Sequence, residues 1–221
     1  RTNQSIMIEE DDDIPSLPAD TLALVEAFKK AQEERESEAM QGEALPEEDW
    51  QLSQFWYSDD TATRLCAEVE AVFKDQEGGA EVALVSSPTL LPFFKKLEGF
   101  RTGRLRVKLF EYDARFGHIH PEEFVQYDYR SPLLLPPSLQ DHFDLIIADP
   151  PFLADECLVK TAQTIRLIGK ENARLILCTG AIMEEMAARL LSTHRLPFRP
   201  QHSNNLANDF ASFANYETKT L

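Results

Sequence analysis

Five short apolar segments, separated by stretches with a helical pattern, constrain the fold of this chain more than any other feature. The segments are residues 82–85, 105–110, 124–129, 143–148 and 174–178. Strands that are apolar throughout are typical of parallel sheets, because helices cover both faces of such sheets. The alternation of strands and helices therefore predicts an α/β fold with a doubly wound, mostly parallel sheet.

Helix signals between these segments support the same topology. Ser58 is placed to cap a helix whose apolar stripe includes Leu65, Val69 and Phe73, and two glycines follow its end. Two strand-like pieces within residues 199–216 add an antiparallel C-terminal hairpin, which brings the predicted sheet to seven strands. Further helices are predicted over residues 88–97, 155–168 and 181–191.

The charge of the chain is acidic, and the acidity is concentrated near the N-terminus. The 221 residues include 38 acidic and 22 basic side chains, which gives a formal charge of −16, and residues 1–50 hold 15 of the acidic and 4 of the basic ones. We interpret residues 1–17 as a disordered acidic tail, residues 18–49 as an N-terminal helix and linker, and residues 50–221 as the main domain. Nucleic acid is disfavoured as a partner, because its binding relies largely on Lys and Arg contacts with phosphates.

Cysteine usage points to a reducing compartment. Cys66, Cys157 and Cys178 are far apart and form neither a CxxC pair nor the even framework of a secreted disulfide scaffold. We therefore expect a cytoplasmic protein. The longest apolar stretch is far shorter than the ~20 residues that a membrane-spanning helix needs, so we expect no membrane association. His118 and His120 have no acidic or cysteine partner at useful spacing, and we expect no metal site.

The fourth apolar segment runs directly into Asp149-Pro150-Pro151-Phe152, at the strand end where doubly wound sheets bind ligands. Two consecutive prolines remove two backbone donors, which leaves the Pro150 carbonyl free to accept a hydrogen bond. Asp149 adds a second acceptor, so the pair is suited to holding the hydrogens of an amine, and Phe152 offers an aromatic face. The same four residues also fit a structural turn, in which the prolines end the strand and the Phe152 ring is buried. The tetrapeptide alone does not distinguish this turn from an amine-binding site.

Several further segments accompany this tetrapeptide in order along the chain. They are residues 49–58 (DWQLSQFWYS), 110–113 (FEYD), 147–152 (IADPPF), 177–183 (LCTGAIM) and 205–208 (NLAN). With them the chain resembles the elongation factor 1-alpha lysine methyltransferase 1 family, which was once labelled as N6-adenine-specific DNA methyltransferases. The resemblance implies a Rossmann-like class I methyltransferase domain over residues 50–221. It also implies S-adenosyl-L-methionine as methyl donor, and a lysine of translation elongation factor 1-alpha as substrate.

The same resemblance implies a cofactor site at the neighbouring strand ends. Glu111 ends the second strand, where a carboxylate can accept both ribose hydroxyls, and we favour it over Asp113. Asp128 ends the predicted third strand, where its side chain can reach the adenine amino group, with Tyr127 or Tyr129 beside it.

The loop after the first strand lacks the glycines of the wider class. It reads Ser86-Ser87-Pro88, so we expect the methionine moiety to meet serine hydroxyls and backbone amides. Trp56 and Tyr57 belong to a run of three aromatic residues that cannot all face one core, and we expect them to cover the cofactor and the lysine channel. Packing of the linker onto the domain is the alternative explanation. The predicted cofactor-binding residues are Ser86, Ser87, Pro88, Glu111, Tyr112, Asp128, Tyr129, Trp56 and Tyr57.

Three functions remain in competition at this point. The first is protein-lysine methylation, and the second is N6-adenine methylation of RNA or DNA, which the same tetrapeptide serves in related enzymes. The third is a non-catalytic binding protein that has kept the methyltransferase fold without its glycine loop. For the first, we assign Asp149 to positioning and hydrogen-bond acceptance, with the lysine proton passing to water, because the sequence identifies no general base.

Removal of residues 1–17 tests the role assigned to the acidic tail. We expect the melting temperature to stay nearly unchanged while the salt dependence of kcat/KM decreases, because the tail attracts a basic partner at long range without packing on the core. Thermal denaturation and initial rates at increasing ionic strength measure the two effects. A large loss of thermal stability would show instead that this segment is packed.

Overall fold

A seven-stranded sheet organises the computed structural model, which describes residues 45–52, 54–204 and 209–221. Strands β1 to β5 are parallel, and β7 runs antiparallel to both β5 and β6, in the order β3-β2-β1-β4-β5-β7-β6. The predicted Rossmann-like, doubly wound sheet is confirmed. The strands are β1 (Ala80–Val85), β2 (Leu105–Glu111), β3 (Phe124–Gln126), β4 (Phe143–Ala148), β5 (Gly169–Gly180), β6 (His194–Arg195) and β7 (Phe210–Ala214).

Helices cover the sheet, and short 3₁₀ turns lie at Trp50–Leu52, Pro137–Leu139 and Ala181–Met183. Within the described ranges, no helix has the length and apolar character needed to cross a membrane. The predicted acidic tail and most of the 18–49 segment lie outside the described residues, so those domain boundaries stay predictions. The helices are α1 (Asp59–Phe73), α2 (Leu90–Lys95), α3 (Glu98–Arg101), α4 (Arg115–Ile119), α5 (Asp155–Ile168) and α6 (Glu184–Leu191).

Strands β1 and β4 bury both of their faces. In β1, Val82 and Leu84 pack into the same apolar cluster as the inner faces of α1 and α2, whereas Ala83 and Val85 pack into a second cluster with α5 and α6. Successive side chains of a strand point to opposite sides of the sheet, so an unbroken apolar run is what two covered faces require. This two-sided burial explains why β1 and β4 lack a polar alternation, whereas Arg106 and Lys108 alternate with apolar residues in β2.

The register of the central strands brings their carboxyl ends to one level. Val85 at the end of β1 pairs with Phe110 of β2 and with Ala148 of β4. Glu111 therefore ends β2, and Asp149 follows β4, at the same edge of the sheet. That edge is where the chemistry predicted from the sequence is assembled.

Some element boundaries differ from those predicted. The Ser58 hydroxyl accepts a hydrogen bond from the Thr61 amide at 3.3 Å, so the predicted cap of α1 is confirmed. Strand β5 begins earlier than the predicted segment 174–178, at Gly169, and α6 begins later than residue 181, at Glu184, because a 3₁₀ turn precedes it.

The third strand is shorter than predicted. It ends at Gln126 instead of continuing to residue 129. The Asp128 side chain accepts a hydrogen bond from the amide of Arg130 at 2.9 Å, and its carbonyl accepts one from the amide of Ser131 at 2.9 Å. An aspartate that bonds the backbone two residues ahead forms a turn and ends a strand. The prediction that Asp128 ends the strand was therefore wrong, because Asp128 lies in the turn that follows.

The C-terminal hairpin is also displaced from its predicted place. Strand β7 lies within residues 199–216, but its hairpin partner β6 precedes that range. Pro200 cannot donate a ladder hydrogen bond, which disfavours a strand at this point. The chain here crosses to the start of α1 instead, where the Ser58 amide donates to the Gln201 carbonyl at 2.8 Å and Tyr57 forms an isolated antiparallel bridge with His202.

Candidate active site

A cleft of about 360 Å³ opens at the carboxyl ends of β1, β2 and β4. Residues 51–52 and 54–57, before α1, form part of its wall, together with His202 and Phe210. The structure brings together in this cleft all the residues predicted for the catalytic and cofactor sites. They are Trp56, Tyr57, Ser86, Ser87, Pro88, Glu111, Tyr112, Asp128, Tyr129, Asp149, Pro150, Pro151 and Phe152.

The loop after β1 makes a sharp turn without glycine. Ser86 has a φ of 52°, in the left-handed region that usually favours glycine, and its amide donates to the Phe110 carbonyl at 2.8 Å. The Ser87 side chain is buried, and its hydroxyl donates to the Ile147 carbonyl at 3.5 Å. Ser86 thus adopts the backbone conformation of a glycine turn, and the Ser87 hydroxyl is hydrogen-bonded to strand β4.

Glu111 is a preoriented carboxylate at the end of β2, with 7% of its surface exposed. Its Oε1 atom accepts hydrogen bonds from the amides of Tyr112 at 2.9 Å and Asp113 at 3.1 Å. Within the described part of the chain, no donor reaches Oε2. Burial raises the pKa of Glu111 to about 7, although the two amides act in the opposite direction. A fixed carboxylate with one available oxygen is suited to a ribose diol, so this site fits the nucleoside part of S-adenosylmethionine.

Asp113, the neighbouring alternative, is already engaged by protein partners. Gln54 Nε2 donates to its Oδ2 at 2.9 Å, and Arg115 Nη2 pairs with the same oxygen at 2.7 Å. Arg115 also donates to Gln54 Oε1 and to the Glu47 carbonyl, both at 3.2 Å. These bonds fasten the segment before α1 to the end of β2. Glu111 is therefore the better candidate for a ligand in the cleft.

Asp128 and Arg130 form an ion pair at the edge of the cleft. Arg130 Nη2 lies 2.7 Å from Asp128 Oδ2, and the guanidinium holds the pKa of this carboxyl below its usual value. Arg130 also lies over the Tyr112 ring, 5.6 Å from its centre. Asp128 is thus an acceptor already bonded to a cation, unlike Glu111.

Asp149 is joined to the opposite wall of the cleft by a short hydrogen bond. The buried Tyr57 hydroxyl donates to Asp149 Oδ2 at 2.6 Å, and the Asp149 amide donates to the Val85 carbonyl at 3.0 Å. Burial raises the pKa of Asp149 to about 7, and the charge of Glu111 adds to this rise. Among the described residues, Asp149 Oδ1 and the Pro150 carbonyl remain available as acceptors on this wall.

Phe152 lies at the rim of the cleft. It is 41% exposed, and its ring centre lies 5.7 Å from that of Tyr129. The alternative interpretation of the tetrapeptide, with a buried aromatic ring, is therefore wrong. An exposed ring beside two acceptors is suited to the side chain that carries an amine.

His202 is a cleft residue to which the sequence analysis assigned no role. Its ring centre lies 5.1 Å from that of Tyr57 and 4.8 Å from that of Phe210. Burial lowers the pKa of His202 to about 4, so its imidazole is neutral at physiological pH. His202 packs behind the tyrosine that holds Asp149. No local signal predicts this, because the two residues are far apart in the sequence.

Curated protein-lysine methyltransferases match the chain over nearly its whole length. A protein-lysine N-methyltransferase of Caenorhabditis elegans is 53% identical over 214 residues, which cover 95% of this chain and 98% of the relative. EEF1A lysine methyltransferase 1 of Gallus gallus is 46% identical over 217 residues, with the same coverage of 95% and 98%. The chain belongs to the EEF1A lysine methyltransferase 1 family. As a member of this family, it is a methyltransferase, and the resemblance found in the sequence is confirmed.

Two further comparisons agree with this family. A family model described as "Probable N6-adenine methyltransferase" matches residues 48–218. Among solved structures, a branched-chain polyamine synthase mutein from Thermus thermophilus superposes with a TM-score of 0.59 at 16% identity, covering 80% of this chain and 60% of the synthase. At this identity the synthase supports the fold alone.

Glu111→Ala is expected to weaken the binding of S-adenosylmethionine. Loss of a hydrogen bond to a charged group costs ~1.5–3 kcal/mol, which corresponds to a Kd about 10-fold to 100-fold higher. Isothermal titration calorimetry measures this change. Glu122→Ala, which removes an exposed carboxylate outside the cleft, serves as the control with an unchanged Kd. Equal affinities of Glu111→Ala and the wild type would mean that the ribose binds elsewhere.

The raised pKa of Asp149 predicts a pH-dependent gain of stability in Asp149→Asn. The folded chain holds the Asp149 proton up to about pH 7, whereas the unfolded chain releases it near pH 4, so wild-type stability decreases across that window as pH rises. Asparagine stays neutral. After an allowance for the partial exposure of Asp149, we expect the variant to be ~2–3 kcal/mol more stable than the wild type at pH 8 and equal to it below pH ~4. Urea denaturation at both pH values checks this, and a gain that did not vary with pH would contradict it.

Proposed function

We propose that this chain transfers methyl groups from S-adenosyl-L-methionine to a lysine ε-amine of translation elongation factor 1-alpha. The substrate is supported by the relatives named EEF1A lysine methyltransferase 1, which this chain matches nearly end to end. The observation that carries the proposal is a pair of carboxylates in one cleft. Glu111 and Asp149 each have one oxygen held by neutral protein donors and one oxygen available.

The first carboxylate is assigned to the cofactor. S-adenosyl-L-methionine supplies an electrophilic methyl group on its sulfonium sulfur. Glu111 would bind the ribose hydroxyls through its available oxygen, and Asp128 would accept a hydrogen bond from the adenine amino group while keeping its ion pair with Arg130. The turn at Ser86, Ser87 and Pro88 meets the methionine part through its backbone. The aromatic walls of the cofactor site are Trp56, Tyr57, Tyr112 and Tyr129.

The second carboxylate is assigned to the amine. Asp149 Oδ1 and the Pro150 carbonyl accept two hydrogens of the lysine nitrogen, which directs the nitrogen lone pair at the methyl group. Pro151 makes the strand end rigid, because its ring fixes the backbone φ angle. Phe152 lies along the lysine side chain and attracts its charged end through the face of the ring.

The lysine must lose a proton before it can attack, because its pKa in water is ~10.4. Burial of an ammonium in the cleft lowers that pKa, while burial raises the pKa of Asp149 to about 7. Asp149 Oδ1 accepts a hydrogen bond from the lysine nitrogen in this arrangement, so it can receive the proton before the proton passes to water. Asp149 is therefore the proposed proton acceptor for the lysine, a role for which the sequence alone identified no residue.

N6-adenine methylation remains the alternative, since the description of the matching family model names it. The formal charge of −16 opposes a nucleic-acid substrate, and the curated relatives are named for protein lysine. Transfer of labelled methyl groups in a cell lysate, with and without nuclease, separates the two. We expect nuclease-resistant label on elongation factor 1-alpha, whereas loss of label after nuclease treatment would favour adenine. Failure of the chain to bind S-adenosylmethionine in calorimetry would favour the non-catalytic alternative.

We place the enzyme in the cytoplasm, where translation elongation factors act. Cys66, Cys157 and Cys178 are all free and buried. Free thiols at these positions are compatible with a reducing compartment, where disulfides rarely persist.

Asp149→Asn is expected to decrease kcat by at least ~10²-fold while the Kd for S-adenosylmethionine stays unchanged. The amide is nearly isosteric, but its NH₂ group can face the incoming amine, and misplacement of a reacting group by about 1 Å has an effect of this size. Rates with purified elongation factor 1-alpha and calorimetry measure the two quantities. Asp144→Asn, at the opposite end of the same strand, is the matched control with near-normal kcat. Near-normal transfer by Asp149→Asn would remove Asp149 from the catalytic site.

A further inference from the structure

We propose that an apolar patch beside the amine site, formed by Leu153 and Ile182, binds apolar side chains that flank the target lysine in the substrate protein. This inference rests on the proposed function and adds a substrate requirement to it. The target lysine must have exposed apolar neighbours.

Two adjacent loops supply the patch. Leu153 follows Phe152 directly and is 39% exposed, and its side chain lies over Gly180, where an added Cβ would come within 2.9 Å of Leu153 Cδ2. Ile182 lies just beyond Gly180 and is 85% exposed. Strands β4 and β5 are parallel neighbours, so the loops that follow them emerge at the same edge of the sheet as the cleft.

Among the described residues, no packing contact accounts for the exposure of these two side chains. An isoleucine that is 85% exposed contributes little to the core, and apolar side chains grouped at the mouth of a cleft are typical of interaction sites. Leu134 is similarly exposed, at 83%, but it lies elsewhere. Its loop is held to the C-terminal half of α5, where the Thr164 hydroxyl donates to the Pro132 carbonyl at 3.1 Å.

The substrate protein is the occupant that this position favours. Phe152 borders both the amine site and the patch, so a lysine that reaches Asp149 brings its neighbouring residues across Leu153 and Ile182. Exposed carboxylates at the starts of α5 and α6, including Asp155 and Glu185, add negative charge around the patch, which complements a lysine-bearing segment. A second copy of this chain is disfavoured, because two copies with a formal charge of −16 repel each other.

Ile182→Ser tests the patch without disturbing the core. We expect the KM for elongation factor 1-alpha to rise about tenfold, because an exposed isoleucine loses its burial against the substrate. We expect kcat and the Kd for S-adenosylmethionine to stay within about twofold of the wild type. Leu134→Ser is the matched control and is expected to keep the wild-type KM.

A second arm uses two synthetic peptides, each with one lysine, flanked in one by apolar residues and in the other by serines. The wild type is expected to prefer the apolar peptide, and Ile182→Ser is expected to lose this preference. An active Ile182→Ser with a wild-type KM and wild-type peptide preference would overturn the patch and leave the proposed function standing. No methylation of elongation factor 1-alpha by the wild type would instead overturn the proposed function. Sedimentation velocity tests self-association. A wild-type dimer that dissociates in Ile182→Ser, with no change in KM, would show that the patch is a dimer interface and would overturn the inference.

Discussion

The parallel pairing of β1 with β2 and β4 fixes the positions of Glu111 and Asp149, the two carboxylates on which the proposed chemistry depends. Because Val85 pairs with both Phe110 and Ala148, the three strands end together. The ladder continues one residue beyond β4, where the Asp149 amide bonds the Val85 carbonyl. A slip of one residue would send each side chain of β1 or β4 into the apolar cluster on the opposite face of the sheet, where the close packing is built for different side chains. The core therefore sets the geometry of the cleft.

The carboxylates around the cleft fall into two groups by the kind of donor that holds them. Asp113 and Asp128 have arginine partners, and their pKa values lie below the usual range. Glu111 is held by backbone amides and Asp149 by a tyrosine hydroxyl, and burial raises the pKa of both to about 7. Neutral donors orient a carboxylate without cancelling its charge, so it can still attract a cationic or hydroxyl-bearing ligand. The pairing pattern thus distinguishes Glu111 and Asp149, which keep their full negative charge available when ionised, from Asp113 and Asp128, whose charge is offset by arginine.

Patterns among neighbouring residues predicted those helices and strands whose formation depends on neighbouring residues. The bounds of β4 and α5 agree with the segments 143–148 and 155–168, because apolar runs and helical periodicity are properties of neighbouring residues. The position of the tetrapeptide at a strand end follows from the same reasoning. Family resemblance, and not periodicity, predicted the cofactor and the acids proposed to bind it.

Contacts between distant segments account for what the sequence did not predict. Part of the stretch predicted as a hairpin pairs instead with the segment before α1, through the bridge between Tyr57 and His202. No residue near either of them in the sequence signals that contact. The bond from Gln54 to Asp113 similarly joins two segments that are far apart in the chain. The turn at Asp128 is an exception. An aspartate whose side chain bonds the backbone two residues ahead is a local turn signal, but the strand propensity of the surrounding residues favoured the prediction of a strand.

The segment before α1 connects the two halves of the cleft energetically. It is fastened at one point through Gln54 to the strand end that presents Glu111, and at another through Tyr57 to Asp149. With the roles proposed for Glu111 and Asp149, a nucleoside that stabilises the docked position of this segment also stabilises the orientation of Asp149. Thermodynamic reciprocity then requires that an amine seated on Asp149 strengthen the retention of the nucleoside by the same factor. The proposed roles of Glu111 and Asp149 therefore imply cooperativity between methyl donor and methyl acceptor, transmitted by a single short stretch of chain.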